Sequence, residues 1–247
     1  MPLQKTTSNA HKAGQRIERL FRKALKDYQL IDNDDHVLVA LSGGKDSLLL
    51  VELLAKRSRI FMPRFNVSAV HVRMNNIPYK TDTQYLETFC KSLGVDLYVL
   101  TTEFDISTDR RKNPCFLCSW YRRKQIFELA QRLGCKKVAL GHHQDDIIHT
   151  ALMNVIFEGR FSSMPVIMQM EKMPLSIIRP LALVSEADIR VYAEAHQYQK
   201  LIKLCPYEHA TYRQQIKDLY DTIEKMNPEA RYSIWHALND DLARLDM

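Results

Sequence analysis

The sequence predicts an α/β fold, a parallel sheet with helices on both faces. Short apolar runs recur through the first two thirds of the chain, each followed by a longer segment with helical periodicity. Gly94 and Gly134 stand where two amphipathic segments give way to apolar runs, the usual place of glycine just past a helix. A strand–turn–helix unit lies near the start: Val37-Leu38-Val39-Ala40-Leu41 passes through Ser42-Gly43-Gly44-Lys45-Asp46-Ser47 into Leu48–Leu54. Regular alternation of strand and helix pairs the strands in parallel, and ligands of such sheets bind outside the strands' carboxyl ends.

Taken in order, residues 1–27 form a basic N-terminal helical segment that carries Lys5, Lys12, Arg16, Arg19, Arg22, Lys23 and Lys26, with Glu18 among them. Val37–Leu41 is the first strand and Phe65–Val72 the second. The helix Thr83–Leu93 leads through Gly94 into a third strand, Val95–Leu100. The helix Ser119–Leu133 leads through Gly134 into a fourth, Lys137–Leu140, and after Gly141 a helix runs from Asp145 to Phe157. Gly43, Gly44 and Gly141 thus fall at strand carboxyl ends. Beyond Gly159 the pattern changes. Ile177-Ile178-Arg179-Pro180-Leu181 reads as a short last strand, and Ser185 as the N-cap of a helix to Ala195, with Asp188 in the N3 place. Helices follow at Thr211–Lys225 and Pro228–Leu242. The expected organisation is the N-terminal segment 1–27, one α/β domain over 28–200, and a helical extension over 201–247.

An apolar share of 46% with 26% charged residues in 247 residues is that of a globular chain able to bury a core. No apolar run reaches the length of a membrane span and none follows Met1 as a secretory leader would, so the expected place is the cytoplasm. Five cysteines, an odd number, argue against a disulfide framework and for thiols or metal ligands. The net charge of +6 is concentrated in the N-terminal segment, in Arg110-Arg111-Lys112 and in Arg122-Arg123-Lys124. Solvated lysine faces account for any one cluster; three beside a nucleotide loop point to a polyanionic partner.

The loop carries the chemistry. Glycines in a tight turn let the backbone approach a phosphate, and the N–H groups of the new helix face the anion along the helix dipole. Lys45 adds a point charge, while Ser42 and Ser47 add hydroxyl donors. The spacing does not fit the ATP-hydrolysing loop G-x-x-x-x-G-K-S/T, because no glycine stands at its first position. Cys115-Phe116-Leu117-Cys118 follows the third strand, in a loop before a helix. Alone it is compatible with a redox dithiol, half of a zinc site, or an iron–sulfur loop. Cys90 and Cys135 stand within helix and strand patterns, where cysteine is an ordinary small hydrophobe. Cys205, before Pro206, stands at an irregular junction where a side chain can reach a cleft. Cys115, Cys118 and Cys205 together suit a [4Fe-4S] cluster with one iron left open, with zinc or plain thiols as the alternatives.

Ser42–Ser47 resembles the SGGxDS loop of the PP-loop, or N-type, ATP pyrophosphatases, of the adenine nucleotide α-hydrolase-like fold. With Cys115-x-x-Cys118, Gly141-His142-His143-Gln144-Asp145-Asp146 and Ile178-Arg179-Pro180-Leu181 in order downstream, the chain is similar to the tRNA 2-thiocytidine synthetase family over about Gln15–Asn239. Phe157–Pro165 and Arg213-Gln214 extend the likeness. Where the family has a C-terminal C-x-x-C, Ile202 takes the first place and Cys205 the second, so the ligand position is kept. The resemblance implies ATP bound by Ser42, Gly43, Gly44, Lys45, Asp46, Ser47 and Gly141. It implies Mg²⁺ on Asp46 and Asp145, and a [4Fe-4S] cluster on Cys115, Cys118 and Cys205. The implied reaction adenylates C2 of an anticodon-loop cytidine, expected to be cytidine 32, and replaces its oxygen by sulfur. Lys45 and Asp46 with the three cysteines are the implied catalytic set. For Asp145 and Asp146, dipole stabilisation at a helix N-terminus is the alternative role; His142 reads equally well as a hydrogen-bonded loop histidine. The implied partners are tRNA, held by Arg16, Arg19, Arg122, Arg123 and Lys124, and a cysteine desulfurase or other sulfur donor; a homodimer is compatible. Residues 73–78 and the early end at Met247 depart from the family and bear on the RNA target. The competing function is another PP-loop adenylating enzyme: thiolation of a different tRNA base, lysidine-type modification, or small-molecule amidation or sulfur transfer.

Overall fold

The computed structural model describes residues 2–105, 114–202, 204–205 and 212–239, with side chains from residue 8 onward. The Arg110-Arg111-Lys112 cluster and Pro206 lie outside the described residues. In chain order the elements are α1 (Pro2–Asp27), β1 (Asp35–Ala40), α2 (Lys45–Ser58), β2 (Phe65–Met74), α3 (Gln84–Leu93), β3 (Asp96–Thr102) and α4 (Pro114–Arg132). Then come β4 (Lys137–Ala139), α5 (Gln144–Glu158), β5 (Ile167–Gln169), β6 (Ser176–Ile178), α6 (Glu186–Ala195), α7 (Tyr212–Met226) and α8 (Ala230–Asn239). Contacts divide the chain into two compact units, Met1–His143 with Val166–Tyr207, and Gln144–Pro165 with Glu208–Met247.

The first unit holds one six-stranded sheet in the order β3-β2-β1-β4-β6-β5. Every neighbouring pair is parallel except β5 with β6. The connections from β1 run outward one way to β2 and β3 and the other way to β4, so the winding reverses between β1 and β4. Right-handed crossovers then place α2 and α3 on one face and α4 on the other. Packing agrees. Leu38, Val70, Val72 and Val138 of the sheet pack with Leu129 and Ala130 of α4, while Val37 and Val39 alternate to the opposite face. Helix α2 buries an unbroken run, Ser47–Ala55, as a helix between sheet and further helices must.

The helix-to-strand junctions end as their glycines predict: Gly94 N–H donates to Lys91 O at 3.1 Å and Gly134 N–H to Gln131 O at 3.1 Å. Ser185 Oγ accepts from Asp188 N–H at 3.2 Å, the expected N-cap of α6. Two readings need correction. The Cys115–Cys118 segment is not a loop: α4 begins at Pro114, so both cysteines lie within its first five residues. Proline at the first helical position has no N–H to leave unbonded and a φ already suited to the helix. The antiparallel edge strand β5 was not foreseen, because three exposed residues carry no periodic signal.

Helix α1, expected as a segment of its own, buries Ala13, Ile17, Phe21 and Ala24 and packs along α6. Its basic residues Lys12, Arg19, Lys23 and Lys26 line the exposed side. The second unit groups α5 with α7 and α8. In it the ring of His149 meets Tyr220 at 5.2 Å and Phe157 meets Tyr212 at 4.9 Å. The segment after α5 folds back on it, with Ser163 Oγ donating to Ile147 O and Asn154 Nδ2 to Ser162 O at 2.8 Å.

Candidate active site

In sheets of this kind ligands bind outside the strands' carboxyl ends where the winding reverses, and the loops that follow β1 and β4 stand at that place. After β1 comes Ser42–Gly44. The backbone of Leu41 is held on both sides, its N–H donating to Val70 O at 2.9 Å and its carbonyl lying 2.7 Å from His71 Nδ1. Gly43 turns the chain at φ +85°, and a Cβ there would stand 2.6 Å from Leu201 Cβ, so both conformation and space require glycine. Gly44 is the N-cap of α2 and offers no side chain, so the first amides of α2 have no side-chain cap. Ser42 Oγ lies 3.0 Å from Ser47 Oγ, which donates to Gly44 O at 2.9 Å. Amides at a helix start, two hydroxyls and a lysine make an anion cradle.

Lys45 Nζ stands 3.0 Å from Asp46 Oδ1 and 3.1 Å from Glu186 Oε1. Burial pulls the ammonium pKa down, but Asp46 and Glu186 outweigh it, and the net shift is upward. Lys45 is therefore charged at neutral pH. Asp46 Oδ1 is buried with no aligned hydrogen bond, although Lys45 and, at 3.8 Å, His143 Nε2 are near it. An under-satisfied carboxylate oxygen beside a phosphate cradle fits a hard cation such as Mg²⁺. Gly141, after β4, packs directly on this turn. A Cβ on it would lie 3.1 Å from Asp46 C and 3.1 Å from Ser47 N. His142 Nδ1 accepts from Arg179 Nε at 3.3 Å, and burial lowers the pKa of that guanidinium. Sequence reasoning assigned no role to Arg179 or Glu186; a carboxylate one residue past an N-cap reads as dipole complement alone.

In the second unit, Asp145 Oδ1 accepts from Arg231 Nη2 at 2.8 Å, and Arg231 also reaches Glu224 at 3.0 Å. Burial lowers the Arg231 pKa, yet Asp145 more than offsets this and holds it above its ordinary value.

The cysteines separate into two groups. Cys90 and Cys135 are buried, and desolvation pushes their thiols up to about 12 and about 11. Cys115 is exposed and Cys118 half-buried, three residues apart at the N-terminal end of α4. Cys205 arrives by a backbone path that also touches the phosphate loop. Leu201 N–H donates to Gly43 O at 3.0 Å, Lys80 N–H to Ile202 O at 2.9 Å, and Leu204 N–H to Pro78 O at 2.8 Å. Cys205 and Cys118 consequently pack on the same cluster of Met74, Ile77, Phe104 and Leu117. Thiols suit an iron–sulfur cluster in donor type; Cys118 and Cys205 share that packing cluster and Cys115 lies three residues before Cys118, while no group of three His, Cys, Asp or Glu placed to hold a metal occurs among the described residues. Four residues of chain span at most about 14 Å, so Cys205 stays within that reach of the residue bonded to Gly43.

The residues expected to hold RNA are not equivalent. Arg16 is engaged by Asp188 of α6. Arg19 is exposed on α1. Arg122 turns inward, with Nη2 donating to Tyr79 Oη at 3.0 Å, while Arg73 stacks over the same ring at 4.6 Å. Arg123 and Lys124 are exposed. Consecutive helical residues point about 100° apart, which is why one basic triplet divides into an inward and an outward part.

A PP-loop domain profile matches residues 10–203. The chain is 32% identical over 237 residues to the tRNA-cytidine(32) 2-sulfurtransferase of Pseudomonas syringae pv. tomato, covering 94% of this chain and 86% of that protein. It is 31% identical to the enzyme of the same name from Azotobacter vinelandii, with the same coverage. Among solved structures, the U34-tRNA thiolase NcsA from Methanococcus maripaludis with its [4Fe-4S] cluster superposes with a TM-score of 0.76 at 26% identity. That match covers 93% of this chain and 78% of that one.

Proposed function

Since the chain belongs to the PP-loop family that includes the tRNA-cytidine(32) 2-sulfurtransferases, we infer that it is an ATP-dependent tRNA thiolase that converts an anticodon-loop cytidine, cytidine 32, to 2-thiocytidine. One observation carries the reading from family to chemistry. The segment Leu201–Cys205 bonds to the phosphate loop at Gly43 and ends on the packing cluster of Cys118, which supports a link between the nucleotide cradle and two of the thiols, Cys118 and Cys205.

Each residue then has a task. The amides at the start of α2, with Ser42 and Ser47, hold the phosphates of ATP. Lys45 leaves Glu186 for the α-phosphate, where negative charge moves as the C2 oxygen attacks and pyrophosphate departs. Asp46 binds Mg²⁺ through the oxygen that no donor satisfies. Asp145, the other expected Mg²⁺ ligand, is engaged by Arg231 within the second unit. The C2 oxygen of cytosine leaves poorly until it carries AMP, so adenylation precedes sulfur transfer, and a sulfur nucleophile then displaces AMP. Cys115, Cys118 and Cys205 are the residues that would hold a [4Fe-4S] cluster; when bound, it supplies an iron with no protein ligand on which sulfide can be held. Sulfur reaches the site from a cysteine desulfurase or another sulfide source. The reading places the enzyme in the cytoplasm, and no helix among the described residues is long and apolar enough to cross a membrane. It also admits a homodimer.

Anaerobically prepared protein should be brown and carry close to four irons per chain. Cys115→Ala, Cys118→Ala and Cys205→Ala should each lose the 2-thiocytidine product and cluster content while keeping ATP affinity. Stoichiometric zinc in place of iron would defeat the cluster assignment.

A further inference from the structure

We propose that the outer face of α4, centred on Trp120, is a stacking platform for an unpaired base of the RNA loop. This rests on the tRNA reading and specifies where the RNA lies. Trp120 is 45% exposed and Phe116, one turn earlier, 41% exposed. Residues 116, 120, 123 and 124 fall within about 100° of one another around the helix and are all exposed, while Leu129 is buried on the opposite side. The Trp120 ring meets the Tyr121 ring edge-on at 4.9 Å, and its exposed part stands beside cations. Lys124 Nζ lies 5.8 Å from the Trp120 ring centroid, and Arg123 is exposed beside it.

The charge on this face selects the occupant. Lys124 has Glu128 at 3.9 Å, and Arg123 is exposed beside it with no ion pair among the described residues. A second copy of the chain seated here by two-fold symmetry would set these cations against their own kind. A nucleic acid loop offers both complements, a π-face for the indole and phosphates for the cations. The platform is also in the right place. Trp120 follows Cys115 by five residues, about 7 Å along the helix axis, so the platform and two of the thiols belong to the first turns of one helix.

Trp120 and Trp235 are the two tryptophans of the chain, so Trp235→Phe leaves Trp120 as the only indole reporter. Titration of that protein with an anticodon stem-loop should quench Trp120 emission to saturation, and a blunt duplex of the same length should not. Trp120→Ala should weaken stem-loop binding about ten-fold, within the range that loss of one stacked base produces. Trp120→Phe should retain most of the affinity, Lys124→Gln should lower the salt dependence, and ATP affinity should be unchanged in all three. Stem-loop binding without any change in Trp120 emission, or equal binding by Trp120→Ala, overturns the platform while leaving tRNA thiolation standing. So does self-association that Trp120→Ala abolishes with RNA affinity intact. No binding of the stem-loop by the wild-type protein, together with no thionucleoside formed, overturns both.

Discussion

Lys45 is held in waiting by Asp46 and Glu186, and this makes its role separable from simple charge. Lys45→Ala should lower kcat by a factor of about 100 or more, as removal of one donor to developing charge typically does. Glu186→Gln should instead tighten ATP binding, because it removes the competitor for the ammonium; equal losses in both variants would show that the pair is only structural. Among the thiols, Cys90 and Cys135 should resist iodoacetamide at pH 8 in metal-depleted folded protein, their pKa values being about 12 and about 11, while exposed Cys115 is alkylated. Peptide mapping by mass spectrometry reads this directly. His71 supplies a pH signature. Its burial, aided by Arg122 and Arg73, holds its pKa below the ordinary 6.5. The unfolded chain therefore takes up a proton near pH 6.5 that the folded one refuses, so stability is full above that pH and falls as pH drops below it. Tm measured between pH 7.5 and 5.5 should decline for wild type and decline less for His71→Asn.

At the scale of elements, α1 shows why removing a segment and removing its charge are different experiments. Truncation to Asp27 would expose the residues that Ile17 and Phe21 cover, so any loss of RNA binding would be mixed with loss of folding. Charge-neutral replacements at Lys12, Arg19 and Lys26 leave that packing alone and should weaken tRNA binding without lowering Tm. Gly141→Ala should impair ATP binding, because its methyl would press on the backbone of Asp46 and Ser47, which cannot move without shifting the phosphate loop. The alternation of strands and helices was legible because each buried face repeats with its own period, and the glycine junctions because those positions end helices. Less could be read where tertiary context decides. Nothing in Cys-Phe-Leu-Cys-Ser marks the first turn of α4. Nothing in three exposed residues marks β5, and the inward turn of Arg122 depends on Tyr79 lying across the fold. The phosphate loop was legible as a motif, whereas the hold of Glu186 on Lys45 comes from residues 141 positions apart.

For the whole molecule, the basic surface and the nucleotide site must serve one reaction. RNA held largely through its phosphates releases counterions, so tRNA affinity should fall linearly on a log–log plot against salt, while ATP affinity should change far less. The central claim, that one active site spends ATP to put sulfur on a tRNA cytidine, is tested most directly by product analysis in a single reaction. Cluster-loaded enzyme is incubated anaerobically with tRNA, sulfide and ATP, and nucleosides and nucleotides are quantified together. One AMP and one pyrophosphate should appear for each 2-thiocytidine, with no product when either ATP or tRNA is omitted. Release of ADP and phosphate, or AMP formation with no sulfur entering the tRNA, would contradict the account.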